Sequence, residues 1–226
     1  FSFKVGFRKL RNLYFIFLLI CFQGFVGWYM VSSGLVDRVD VSHFRLSIHL
    51  LVAFFILTLI FWNYLNLKDI KYSNIKLNFF IPFVFLLFIF LQIIIGAFVS
   101  GMDAGKIYNS WPLMGSSYFP DDNRFLNLFT FGAFSDPSLV QFMHRNLAYF
   151  ILAFYISILF IVYKRNIFLL FPVIKLIGLL LIIQIILGIL TLLYGAQIFL
   201  ASMHQISSIF LITSSVYFLY INNKSS

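Results

Sequence analysis

Six long apolar runs, roughly 13–33, 43–65, 79–100, 139–163, 168–194 and 198–221, dominate the chain. Each is about 20 residues or more, and an α-helix of that length, rising about 1.5 Å per residue, crosses the ~30 Å hydrocarbon core of a bilayer. Lipid supplies no hydrogen-bond partners, so a spanning backbone must satisfy itself, and each run is read as a transmembrane helix. The expected fold class is therefore an all-α integral membrane protein. Only 10% of the 226 residues are charged, against about a quarter in soluble domains, which excludes a soluble globular protein and a disordered tail. The single cysteine, Cys21, lies inside an apolar run, so an intrachain disulfide scaffold is excluded as well. The first run is too long for a signal peptide and lacks a small-residue cleavage site.

The net charge of +9 does not point to nucleic acid, because the charges cluster between the apolar runs. One set of helix ends carries Lys4, Arg8, Lys9, Arg11, Lys68, Lys71, Lys76, Lys164, Arg165, Lys175 and Lys224 against Asp69 alone, a net +10. The other carries Arg38, Arg45, Lys106, Arg124 and Arg145 against six aspartates, a net −1. Positive charge accumulates on the side that is not translocated, so the first set is expected in the cytoplasm or matrix, with both termini. The segment 101–138, too long for a simple turn, then faces outward and is expected to serve as a lid or interfacial loop.

The odd-numbered runs share one mark, a glutamine followed four residues later by glycine. It recurs as Gln23 and Gly27, Gln92 and Gly96, and Gln184 and Gly188. Residues four apart share a helix face, where glycine admits close approach and an amide bonds across the interface. Each following run carries a histidine near its start, His49, His144 and His204. The repeating unit is thus a helix hairpin, and its three imidazoles are expected at a common depth. A lone intramembrane histidine is by default a packing residue. Three at equal depth on alternate helices suit axial ligation of haem iron better than zinc, since no cysteine, glutamate or second histidine stands at metal-ligand spacing within a helix. His43, six residues before His49, is expected at the interface. Arg45 and Arg145 are snorkelling anchors or carboxylate partners, and Asp103 is a turn residue or a proton acceptor. Trp28, Tyr29, Trp62 and Tyr64 suit interfacial belts.

Several stretches together resemble the haem A synthase family of the alphaproteobacterial and mitochondrial type. They are Gly27-Trp28-Tyr29-Met30-Val31, Ser42-His43-Phe44-Arg45-Leu46 through His49, and Gly96-Ala97-Phe98-Val99 through Asp103-Ala104-Gly105. Further on come Tyr108-Asn109-Ser110 to Pro112-Leu113-Met114-Gly115, Gln141-Phe142-Met143-His144-Arg145, Leu187-Gly188-Ile189-Leu190-Thr191 and Met203-His204-Gln205. The segment from Asp103 to Gly115 is the most specific.

The resemblance implies eight helices in two pseudo-symmetric four-helix bundles, with the six helices here as the third to eighth. Residues 1–66 would be part of a substrate half, 67–77 a cytoplasmic linker and 78–226 a complete cofactor half. It implies haem b held between His144 and His204 with Arg145 as a propionate partner. The substrate haem O would be ligated by His49, with Arg45 as its propionate partner. The metal ligands would then be His49, His144 and His204, each to haem iron. The reaction implied oxidises a methyl group of haem O to a formyl group, with oxygen from water, giving haem A for cytochrome oxidase.

The family's Glu-x-x-His-Arg motif is absent, as is any glutamate. No catalytic residue is therefore assigned, and residues 1–226 by themselves are expected to be inactive. Starting at Phe1 rather than methionine, the chain reads as lacking a hairpin at its N-terminal side. The implied setting is a bacterial inner membrane, or the mitochondrial inner membrane in a eukaryote. Implied partners are haem O, membrane lipid, haem O synthase and further copies of the chain, and no nucleic acid. The competing readings are a di-haem b-type electron-transfer subunit without its own chemistry and a repeat-built transporter. The transporter fits less well, because its binding site calls for broken helices at the midplane.

Overall fold

All six apolar runs form helices in the computed structural model, which describes residues 7–34, 41–68 and 76–224. They are α1 (Phe7–Gly34), α2 (His43–Leu65), α3 (Phe80–Gly101), α4 (Pro137–Lys164), α5 (Phe171–Leu193) and α6 (Ile198–Asn223). All six are long and apolar enough to cross a membrane. No strand occurs among the described residues apart from an isolated bridge between Met114 and Ser117. The chain is thus the all-helical, multi-pass protein that the apolar runs imply. Lys4, Asp37, Arg38, Asp40, Asp69 and Lys71, and the side chains of Arg8 and Lys9, lie outside the described residues.

Local chemistry sets the helix ends. Asp136 caps α4 by accepting the Leu139 N–H at 2.9 Å, and Pro137 follows at the first helical position, where its missing N–H costs nothing. Two helices stop by the same closure. Asn166, with φ 52°, donates its N–H to Tyr163 O while Ile167 donates to Val162 O. After α5, Gly195 donates to Leu192 O and Ala196 to Thr191 O. Both are Schellman turns, which satisfy the last carbonyls and reverse the chain within a few residues.

The last four helices form a ring. Helix α3 packs on α4, α4 on α5, α5 on α6, and α6 closes back onto α3. Helix α2 lies in the groove of α3 and α6, and α1 packs on α2. The ring therefore has two diagonals, one of them running from α4 to α6.

Packing differs between the two ends of the ring. At the basic end, one cluster joins Phe54, Phe85, Ile89, Tyr155, Ile158, Ile177, Ile212, Phe218 and their neighbours. Polar seams reinforce it. Asn222 accepts the Leu77 N–H at 2.8 Å and donates to Leu77 O at 3.1 Å, while Tyr220 donates to Leu65 O at 2.8 Å. Tyr155 donates to Ile174 O at 2.9 Å, and it fits only because residue 178 is glycine, since a Cβ there would collide with its hydroxyl. At the other end, which carries the long loop, the buried cluster shrinks to Ile95, Phe98 and Val140. No residue from 182 to 210 is buried.

Candidate functional site

The three hairpins place their histidines alike. A Cβ on Gly27 would lie 3.0 Å from Cε1 of His49, on Gly96 3.1 Å from that of His144, and on Gly188 3.2 Å from that of His204. Each imidazole thus rests on the bare backbone of the preceding helix, and any larger residue would push it away. In each ring Nδ1 is buried without a hydrogen-bond partner, at a cost of about 1–3 kcal/mol where a polar atom stays unmet. One costly feature thus recurs in all three hairpins.

The glutamines complete the unit. Gln92 donates to the backbone carbonyl of His144 at 3.0 Å, and its Nε2 lies 3.3 Å from the ring Nε2. Gln23 does the same to His49, at 3.0 and 3.2 Å. Gln184 also donates to the His204 carbonyl, at 3.1 Å, but its second contact is the Ser207 hydroxyl at 2.6 Å. The third unit is therefore not a copy of the first two.

His144 and His204 stand on α4 and α6, the helices at opposite corners of the ring. Two imidazoles facing each other across a bundle are the donor set for axial ligation of haem, whose porphyrin supplies the remaining ligands. Among the described residues, no group of three or more His, Cys, Asp or Glu is gathered as a metal cage. The glycine cradles and the loose packing of 182–210 fit a haem.

The long loop is a built structure rather than a tether. It contains the short 3-10 turns Ala104–Lys106, Phe125–Phe129 and Phe131–Ser135. Arg145 holds it down, donating from Nη1 to the carbonyls of Ser110 and Leu113 at 3.0 and 3.3 Å, and from Nη2 to that of Tyr108 at 3.0 Å. Gln141 donates to the same Tyr108 carbonyl at 3.1 Å. Trp111 donates to Tyr149 at 2.8 Å and Tyr118 to Asn146 at 2.6 Å, both on α4. Asn109 reaches α5, donating to Leu192 O at 2.8 Å. The loop thus lies over the ends of α4 and α5, next to the histidines.

Two aspartates tie the loop to itself. Asp121 accepts the Ser116 N–H at 2.9 Å and the hydroxyls of Ser116 and Ser117 at 3.0 and 2.8 Å, which hold its pKa below the usual carboxylate range. At Asp122, burial pushes the pKa up, but donation from Ser138, Tyr108 and Asn123 outweighs it and the net shift is downward. Tyr108 is raised, by burial first and then by Asp122.

The remaining sequence candidates make contacts of their own. His43 opens α2 and packs edge-on to Phe98 at 5.4 Å. Arg45 lies over the Tyr29 ring at 5.0 Å. Asp103 takes a left-handed turn, φ 53°, and pairs with Lys106 at 2.9 Å on an exposed surface, an interaction worth about 0–1 kcal/mol. Sequence reasoning missed Ser207, Gln141, Asn109 and the Asp121–Asp122 pair. Ser207 and Gln141 carried a readable signal, each standing three residues from a histidine on its own helix.

A family model described as cytochrome oxidase assembly protein matches residues 2–216. The chain belongs to the cytochrome oxidase assembly protein family. Among relatives, it is 48% identical over 226 residues to a protein named heme A synthase from Pelagibacter ubique, covering 98% of this chain and 66% of that one. It is 40% identical to the heme A synthase of Rickettsia bellii, covering 91% and 62% respectively. To that of Rickettsia prowazekii it is 37% identical, covering 99% and 68%. The chain thus spans about two thirds of the length of these family members. The Gln-x-x-x-Gly and histidine units that this family member carries lie within the matched region.

Proposed function

We propose that the chain acts in haem A synthesis, as the portion of a haem A synthase that holds haem b between His144 and His204 and ligates the substrate haem O through His49. The observation that carries this reading is the threefold unit of imidazole on glycine, in a chain whose relatives bear the name heme A synthase. The reaction removes electrons and protons from a methyl group of haem O and adds an oxygen from water, leaving a formyl group. Haem b, when bound, supplies one-electron redox chemistry beside the substrate.

The residues of the chain position and screen. The glycines set the imidazole height, and the loop clamped by Arg145 limits bulk water at the ends of α4 and α5. Arg45 and Arg145 are the propionate partners in this reading, Arg145 through its buried Nε–H, which has no other partner. The six helices are the third to eighth of two four-helix bundles. Residues 1–66 belong to the substrate half and 78–226 to the cofactor half, joined by 67–77. Haem O synthase and further copies of the chain are its protein partners, and the membrane is the bacterial inner membrane.

Two measurements test this. Haem extracted from cells that make haem O and express the chain within a full-length synthase should include haem A. His144→Ala or His204→Ala should remove or grossly change the b-type reduced-minus-oxidised spectrum, and unchanged spectra in both variants would overturn the haem b site. A b-type spectrum without haem A would favour a di-haem electron-transfer subunit instead. For orientation, Ser116→Cys should label with an impermeant thiol reagent in intact cells, and labelling only after lysis would reverse the topology.

A further inference from the structure

We propose that Ser207 is a positioning residue that makes His204, rather than His144 or His49, the anchoring ligand that captures haem first; this rests on the haem-binding reading above. The three units hold their rings at nearly the same distance from glycine, so ring height does not separate them. What separates them is the fate of the glutamine amide. An NH2 group has two hydrogens. In the first and second units one goes to the histidine carbonyl and the other faces the ring Nε2. The carbonyl bond fixes the amide with its nitrogen toward the ring, because a flipped amide would set oxygen against oxygen. The Nε2 lone pairs of His49 and His144 are therefore occupied, and iron would have to displace an amide to reach them.

In the third unit Ser207 intercepts that second hydrogen. Its hydroxyl accepts from Gln184 at 2.6 Å and itself donates to His204 O at 3.0 Å. Both hydrogens of the Gln184 amide are thereby taken by oxygens, and none is left for the His204 ring. The Nε2 of His204 is therefore not capped by the amide that caps Nε2 in the other two units. The reason is written in the sequence. The residue three after the histidine is Val52 in the first unit, Leu147 in the second and Ser207 in the third. Only serine offers an oxygen to divert the amide.

The test is a titration of the purified, haem-free chain in detergent with haemin, followed by Soret absorbance and electron paramagnetic resonance. His204→Ala should weaken haemin binding more than His144→Ala, and the His144→Ala protein should retain a high-spin, singly ligated haem. Ser207→Ala should return the Gln184 amide to His204 and weaken binding by about threefold to tenfold, the worth of one net hydrogen bond. Ser207→Thr should restore it, and so should adding Gln184→Leu to Ser207→Ala, because the competing donor is then gone. Leu147→Ser should divert Gln92 in the same way and tighten binding at His144. A Ser207→Ala protein that binds like the wild type, or equal losses from the two histidine variants, would overturn the proposal while leaving the haem site standing. Haemin binding unaffected by either histidine variant would overturn the haem site itself.

Discussion

The two ends of the four-helix ring are made from the same helices and do different work. At the basic end, aliphatic and aromatic side chains interlock and every polar group named there has a partner: Tyr155 with Ile174, Tyr220 with Leu65, Asn222 with Leu77. At the loop end, glycines replace side chains, three imidazoles keep unmet nitrogens, and the facing stretch of α5 and α6 has no buried residue. Lipid gives helices little hydrophobic reason to associate, so packing and hydrogen bonds at the basic end must hold the ring together. That leaves the loop end free of the work of holding the helices together.

The sharpest way to separate the ends is to remove the imidazoles. The double variant His144→Ala with His204→Ala should lose the b-type spectrum entirely while its helical circular dichroism stays near that of the haem-free wild type. A collapse of helicity would mean that the histidines hold the fold, and the contrast between the ends would fail.

A truncation at each end sharpens the contrast in energy. Phe85→Ala opens a cavity in the interlocked cluster and should destabilise by about 1–3 kcal/mol, less than in water-soluble cores because the lost atoms gain nothing from leaving lipid. Ile186→Ala, on the loop-end half of α5 where Ile186 is 52% exposed, should cost under about 0.5 kcal/mol. Thermal unfolding in one detergent would report both, and equal shifts would contradict the division.

Loosening the loop should be felt locally. Arg145→Ala removes three charge-assisted hydrogen bonds to backbone carbonyls and should raise protease cleavage within 108–118 by about tenfold or more, since each such bond is worth about 1.5–3 kcal/mol. Arg145→Lys keeps the charge but not the planar fork, and should recover only part of the protection. The unfolding temperature of the basic end should barely move.

The smallest effect is one of pH. The carboxylates of Asp121 and Asp122 sit below their ordinary value of 3.8 in the folded loop. Their contribution is complete above that ordinary value and is lost as pH falls through the depressed ones. Trp111 fluorescence, read with Trp28 and Trp62 replaced by Phe, should therefore stay constant from neutral pH down to about 4 and change only below it. Asp121→Asn should remove part of that transition.

Much of this was legible in the residues. Six apolar runs became six helices because a bilayer leaves the backbone no other solution. The glutamine, glycine and histidine spacing brought each imidazole against the glycine of the preceding helix, since residues four apart share a face whatever the surrounding detail. The loop was opaque. Its order comes from single hydrogen bonds, such as Asn109 to Leu192 and Tyr118 to Asn146, which have no period to detect. Arg145 was legible as a cation beside a histidine, but its engagement with three loop carbonyls depends on where those carbonyls come to lie. The inequality of the three units was present in the letters Val52, Leu147 and Ser207, yet it acquires meaning only once the amide's second hydrogen is seen to choose between a ring and a hydroxyl.

The seam between Asn222 and Leu77 has a consequence in time. It joins residues 145 positions apart, and α6, which carries both the seam and His204, is the last of the six helices to leave the ribosome. Until then α3 has no neighbour on that side and the α4 imidazole has nothing opposite it. Synthesis itself thus orders assembly, with closure of the ring arriving as one late event. A chain interrupted before α6 would carry His144 in an open, half-built bundle that lacks the seam which closes it.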